Sequence, residues 1–156
     1  MTVNPIPEGY EGATPYLACN NATAAIEYYK KAFDAVELLR FPAPNNTIGH
    51  AELKIGKAII MLADESTGQD HLSPQTLGGS AVGMLIYFPD VDKIAKQAVA
   101  AGGKLTTPLA DMFYGDRTAT LLDPFGHRWF IATHIEDVPP DEMERRAATA
   151  AQAHPS

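Results

Sequence analysis

The sequence predicts an α+β fold: two tandem βαβββ modules forming a curved mixed sheet with a concave cleft, followed by a C-terminal helix or tail. Three observations carry this. The first is a strand–turn–strand signature. Thr118–Leu122 and Trp129–Thr133 are rich in β-branched, aromatic and other apolar residues, and Asp123-Pro124-Phe125-Gly126 lies between them. Proline fixes φ at the start of such a turn and glycine accepts the positive φ at its end. The second is an approximate copy of the same layout about 70 residues earlier, with Gly56 standing where Gly126 stands and Thr14 opposite Met84. The third is one amphipathic helical stretch in each half, at the same place in the order. Repeats on this scale mark a duplicated supersecondary unit.

Each element has a local reason. Ala13–Cys19 is a short apolar run that reads as a strand. Ala22–Phe33 places Ile26, Tyr29 and Phe33 on one helical face, with Asn20 and Asn21 as N-cap candidates. Ala35–Phe41 is a second strand, expected to end at Pro42 and Pro44. Gly49–Ile55 and Lys57–Leu62 form a hairpin around Gly56-Lys57. In the second half, Ala81–Phe88 is a strand and Val91–Ala101 a helix, with Val91, Ile94, Ala95 and Ala98 on one face and Asp90 as its cap. Gly102-Gly103 stops it. Lys104–Leu109, Arg117–Leu122 and Trp129–Ile135 supply three further strands. Pro139-Pro140 breaks the chain, and Asp141–Ala153 reads as an alanine-rich helix whose acids precede Arg145-Arg146, as the helix dipole favours. Its end, 150–156, is expected to be loose. The organisation is therefore one domain over 1–138, with modules at about 12–64 and 80–136, and a helix or tail over 139–156.

Composition narrows the function. The chain has 156 residues, 46% of them apolar, and a formal charge of −7. That suits one compact core. The acidic balance argues against nucleic acid, because phosphate binding needs clustered Lys and Arg. There is no Walker loop, Gly-rich dinucleotide turn or Gly-x-Ser-x-Gly turn. No apolar run is long enough to span a bilayer, and no basic stretch precedes an apolar one at the N-terminus, so neither a membrane span nor a signal peptide is expected. Cys19 is the single cysteine. A cytoplasmic setting fits that count. The polar stretch Ser66–Ser80 joins the halves, and its length suggests a segment that moves or folds over a pocket.

Beyond element order, the chain resembles the vicinal oxygen chelate superfamily over roughly residues 12–136. That superfamily includes glyoxalase I, bleomycin-resistance proteins and extradiol dioxygenases. The closer resemblance is to a bacterial glyoxalase-like, PhnB-type branch. It rests on Thr14-Pro15-Tyr16-Leu17, on Ala24, Ile26, Tyr28 and Tyr29 ahead of Ala32-Phe33, and on His50-Ala51-Glu52-Leu53-Lys54-Ile55-Gly56. Tyr114-Gly115-Asp116-Arg117, Asp123-Pro124-Phe125-Gly126-His127-Arg128-Trp129 and Ala132-Thr133-His134 complete it. The resemblance implies clefts made by paired βαβββ units, hence a homodimer, which we expect to be an isologous two-fold pair. Fold alone does not fix activity, because this superfold hosts many chemistries.

Metal-using members of the superfamily carry four His, Glu or Gln ligands, near the start of each leading strand and on each closing strand. Mapped here, those places fall on Thr14, Met84, Met61 and Phe130. None suits a divalent cation, so no metal and no other cofactor is expected. Met61, Met84 and Phe130 instead predict an apolar, adaptable cleft. Tyr16, Asp116 and Arg117 are the polar ligand-binding candidates around it, Arg117 as a fork for a carboxylate or carbonyl. His50 and Glu52 share a strand face at a spacing of two and are the acid–base candidates. His127 reads as a packing or capping residue, His134 as packing under the C-terminal segment, and Cys19 as buried. The leading expectation is a protein that binds a small organic molecule without the usual divalent metal. The alternative is a glyoxalase-type lyase or isomerase that uses His50 and Glu52.

Overall fold

The computed structural model describes residues 3–153. Each half folds as one βαβββ unit. The first contains β1 (Tyr16–Cys19), α1 (Ala22–Phe33), β2 (Val36–Ala43), β3 (Thr47–Ile55) and β4 (Ala58–Asp64). A connection carrying the short helix α2 (Pro74–Leu77) leads to β5 (Gly83–Tyr87), α3 (Val91–Ala100), β6 (Lys104–Asp111), β7 (Asp116–Leu122) and β8 (Arg128–His134). The last helix is α4 (Pro140–Ala153). The expected loose end is helical as far as Ala153, and 154–156 lie outside the described residues.

The strands form two four-stranded sheets, ordered β1-β4-β3-β2 and β5-β8-β7-β6. In each, the leading strand runs parallel to the closing strand and every other pair is antiparallel. The repeat extends to the helix caps. Asn21 Oδ1 accepts from Ala24 N at 3.0 Å, and Asp90 Oδ1 from Lys93 N at 3.0 Å. A side chain near the end of each closing strand then reaches back to the helix start. Asp64 Oδ1 accepts from Ala22 N at 2.9 Å, and Thr133 Oγ1 accepts from Val91 N at 2.8 Å. Each bond satisfies one of the donors that a helix N-terminus leaves open.

One proline expectation changes, while a second strand contains its proline as expected. β2 does not stop at Pro42 but runs on to Ala43, and β6 passes through Pro108. Both are edge strands, and both show register shifts at or around the proline. An edge strand tolerates proline because one side of its backbone has no partner to lose. β1 also begins later than expected, at Tyr16, which leaves Thr14 outside the strand.

The core is shared between the halves. α1 packs on α3. Tyr29 and Phe33 of α1 meet Trp129 of β8 at ring centroids 5.4 and 4.9 Å apart, and Phe33 stacks on Phe88 at 5.8 Å. Each such ring contributes roughly 2–3 kcal/mol by leaving water. The centre of this core is polar. The buried Asp123 carboxylate accepts from Phe125 N and His127 N, both at 2.9 Å, from Tyr29 Oη at 2.6 Å and from Trp129 Nε1 at 2.8 Å. The turn residue thus holds its own hairpin with one oxygen and binds the other half's helix with the other. His127 Nε2 extends the link to Ala18 O of β1 at 3.0 Å. Gly126 is required here: its φ is +86°, and an added Cβ would lie 2.7 Å from Pro74 Cβ.

Asp123→Ala leaves buried Tyr29 and Trp129 donors without an acceptor. Its expected cost is about 3 kcal/mol or more, read as a lowered urea midpoint at unchanged slope. A loss below about 1 kcal/mol would remove Asp123 from this central role.

Candidate functional site

Alternation along the strands sorts the candidates onto two faces. α1 and α3 cover one face of each sheet, and the other face is open. In the first sheet, Tyr16, Met61 and Glu52 are cross-strand neighbours in one row of the open face. His50 lies two residues from Glu52, opposite Phe41.

These side chains form a chain of hydrogen bonds. Tyr16 Oη lies 2.8 Å from His50 Nδ1, and His50 Nε2 lies 3.1 Å from Glu52 Oε1. The second oxygen of Glu52 accepts from the hydroxyl of Tyr10, which arrives from the segment before β1. With Nε2–H directed at the carboxylate, Nδ1 is left to accept from the phenol, a tautomer assigned from the partners. Burial raises the pKa of Glu52, but the bonds from Tyr10 and His50 outweigh it and hold the group below the ordinary value. Tyr16 is shifted upward, by burial first and by the Glu52 charge second. The ring of His71 packs on Tyr16 at 5.0 Å. Its Nε2 is buried with no partner among the described residues. A polar atom of a ligand or a water satisfies a nitrogen so placed.

The second sheet has its own polar group. Asp116 is buried at the start of β7. It accepts from Tyr87 Oη at 2.5 Å and pairs with His134 Nδ1 at 2.7 Å, and His134 Nε2 meets Asp137 at 2.9 Å. Burial raises Asp116, and the Tyr87 and His134 bonds reverse that to a net lowering. His134 is raised, chiefly by Asp137 and then by Asp116. Beside this group, Leu85, Tyr114, Thr118 and Phe130 line a hollow of about 300 Å³.

Two of the expected ligand contacts stand elsewhere. Met84 pairs with Trp129, on the helix-facing side, and packs against the core. The residue that shares the open face with Phe130 is Leu85. The halves align at an offset one shorter here than at the hairpin turns, and a slip of one position in a strand exchanges the faces. Arg117 likewise points away from Asp116. Its guanidinium binds Asp92 of α3 at 2.7 Å and Asp111 of β6 at 2.8 Å, so its fork is already filled. Tyr10 and Tyr87 had no motif to reveal them, since each meets its carboxylate only through the fold.

Across the parallel strands of the open faces Tyr16 pairs with Met61 and Leu85 with Phe130, so on the observed register the places that the resemblance assigns to ligands move from Thr14 to Tyr16 and from Met84 to Leu85. A phenol, a thioether and two hydrocarbon side chains do not fit a divalent first-row cation, which takes imidazole and carboxylate donors. Among the described residues, no group of three or more His, Cys, Asp or Glu is placed to hold a metal ion. No helix among them is long and apolar enough to cross a membrane.

Paired βαβββ units with open, aromatic-lined faces define a class of cleft protein, and sequence comparison agrees with it. Residues 13–131 match the profile of the glyoxalase/bleomycin resistance protein/dioxygenase superfamily, and the chain belongs to that superfamily. An uncharacterized protein of Mycobacterium bovis is 38% identical over 134 residues, 84% of this chain and 88% of that protein. A Mycobacterium tuberculosis H37Rv protein matches at 38% over 134 residues, covering 84% of this chain and 79% of its own length. Among solved structures, TioX from Micromonospora sp. ML1 superposes with TM-score 0.63 at 25% identity, over 83% of this chain and 100% of that one. A PhnB protein from Bacillus cereus gives TM-score 0.60 at 18% identity, over 79% and 99%. The latter shows the fold alone.

The two titrating groups give opposite pH signs. The contribution of His134 is complete below its unfolded pKa and is lost as pH rises through its raised folded value. That of Asp116 is present above the ordinary carboxylate value and is lost as pH falls through its lowered one. An NMR titration should place His134 above the ordinary value of about 6.5, and Asp137→Asn should bring it down. A His134 titration at or below that value would remove both ion pairs.

Proposed function

We propose that this protein binds a small organic molecule on the open faces of its sheets, in a cleft completed by a second copy of the chain, without a divalent metal in the superfamily positions. One observation carries the reading. Tyr16, Phe41, Leu85, Tyr87 and Phe130 stand 40–59% exposed on those faces, around half-buried and buried hydrogen-bonded groups. Contiguous exposed apolar surface rimmed by polar groups marks a ligand or partner site. The dimer rests on the superfamily's way of closing its clefts and on the same uncovered side chains. The acidic charge favours a neutral or cationic ligand. A single buried thiol suits a reducing, cytoplasmic setting.

The test combines mass and ligand response. Light scattering at micromolar concentration should give a dimer. A thermal-shift screen of aromatic and cationic compounds should yield hits that Phe130→Ala weakens. Ni, Zn, Mn and Fe(II) should neither co-purify at one per chain nor raise the melting temperature. A monomer without hits, or one tightly held metal per chain, would overturn the proposal.

A second reading has its own support. The Glu52–His50–Tyr16 chain has the layout of an acid–base relay, with the carboxylate orienting the imidazole and a half-exposed phenol at its end. A glyoxalase-type lyase or isomerase would use it to move a proton next to a carbonyl. Deuterium exchange into a bound carbonyl compound should then fall on the order of 10²-fold in His50→Asn, with melting unchanged. Equal exchange rates would leave binding alone.

A further inference from the structure

From the cleft between the two sheets, we infer a second small-molecule site, centred on the seam and bordering the open faces at Tyr16 and Leu85, that takes an uncharged apolar compound bearing one hydrogen-bond donor. The site exists because β1 and β5 are edge strands whose sheets do not pair with each other. Between them lies a cavity of about 630 Å³, within the usual range for a ligand site.

The backbone turns polar groups into this seam. Pro15 O and Cys19 O are taken by Met61 N and Glu65 N of the β4 side, both at 2.8 Å. Alternation in a parallel pair therefore directs the backbone groups of Tyr16 and Ala18 toward the other edge. Phe88 N bonds Ala132 O at 2.7 Å, so Gly83 and Leu85 face the seam from β5 by the same argument.

The side chains add the apolar character. Leu72, Pro74 and Leu77 come from the connection between the halves, and Val82 and Met84 from the β5 side. That connection is an anchored wall. Glu65 Oε2 accepts from Ser73 N at 3.0 Å and from Thr76 Oγ1 at 2.7 Å, and Gln75 Nε2 donates to Pro124 O at 3.3 Å. Among the described residues, no Asp, Glu, Lys or Arg lines the cavity. An ionic ligand would lose its hydration there with no countercharge.

His127 supplies the polar selectivity. It lines the cavity, is 6% exposed, and directs Nε2 at Ala18 O. The carbonyl can only accept, so Nε2 carries the hydrogen. In the neutral ring Nδ1 is then a bare acceptor, and no described residue bonds it. A ligand hydroxyl or N–H is its complement.

The test uses 2-naphthol, naphthalene and 2-naphthoate at neutral pH, read by amide chemical shifts. 2-Naphthol should move Leu72, Leu77, Val82 and His127, bind severalfold tighter than naphthalene, and at least tenfold tighter than 2-naphthoate. The double variant L77E/V82E, at two exposed wall positions, should weaken 2-naphthol tenfold or more, whereas Phe130→Ala should not. Shifts confined to Tyr87 and Phe130, unchanged binding by L77E/V82E, 2-naphthoate binding as tightly as 2-naphthol, or no binding at millimolar probe would each overturn the site. The open-face proposal survives any of these results, because its own test depends on Phe130.

Discussion

A single buried carboxylate joins the two halves of this protein. Asp123 sits at a hairpin turn, where an aspartate ordinarily serves only its own backbone. Here one oxygen closes the turn and the other receives Tyr29 from the opposite module and Trp129 from the following strand. A charge in the core is stable only when its lone pairs are filled, and these are. The aromatic cluster of Tyr29, Phe33 and Trp129 is consequently held at fixed angles, and α1 cannot slide on α3 without opening the carboxylate. His127 carries the same constraint one step further, to the carbonyl of Ala18 in β1.

That linkage explains the layout of the surfaces. With the modules joined through their helices and the turn, the sheets keep separate edges at β1 and β5, and a cavity remains between them. Their outer faces stay uncovered, so polar side chains there can be organised without being sealed in. Each face uses a carboxylate to orient a histidine, Glu52 with His50 in the first and Asp116 with His134 in the second. The two are not copies. The first ends on a phenol and the second on a further carboxylate, Asp137, so the imidazole in the second is drawn toward its charged form while that in the first faces a neutral donor.

Much of this was legible in the residue order. The βαβββ repeat, both main helices and the Asp-Pro-Phe-Gly turn are local patterns, and α1 spans the residues its spacing predicts. His50 and Glu52 were readable as a pair because a spacing of two places them together on any strand. The pairing of Asp116 with His134 was not, because it crosses two strands. Met84 shows the limit clearly: hairpin turns of different length shift the alignment of the halves by one position, and one position reverses a side chain. Arg117 fails for another reason. Asp92 lies 25 residues away and Asp111 meets it only through the β6–β7 pairing, so nothing local says that its fork is already filled.

The sequence by itself therefore determined the element types, their order and the duplication, since these depend on periodicity and turn chemistry. Tertiary structure decided which side chains meet. Tyr10 on Glu52, Tyr87 on Asp116, Tyr29 on Asp123 and the cavity between β1 and β5 all arise from contacts between segments far apart in the chain. Such contacts are fixed by sheet register and by the packing of one module on the other, and no window along the sequence contains both partners.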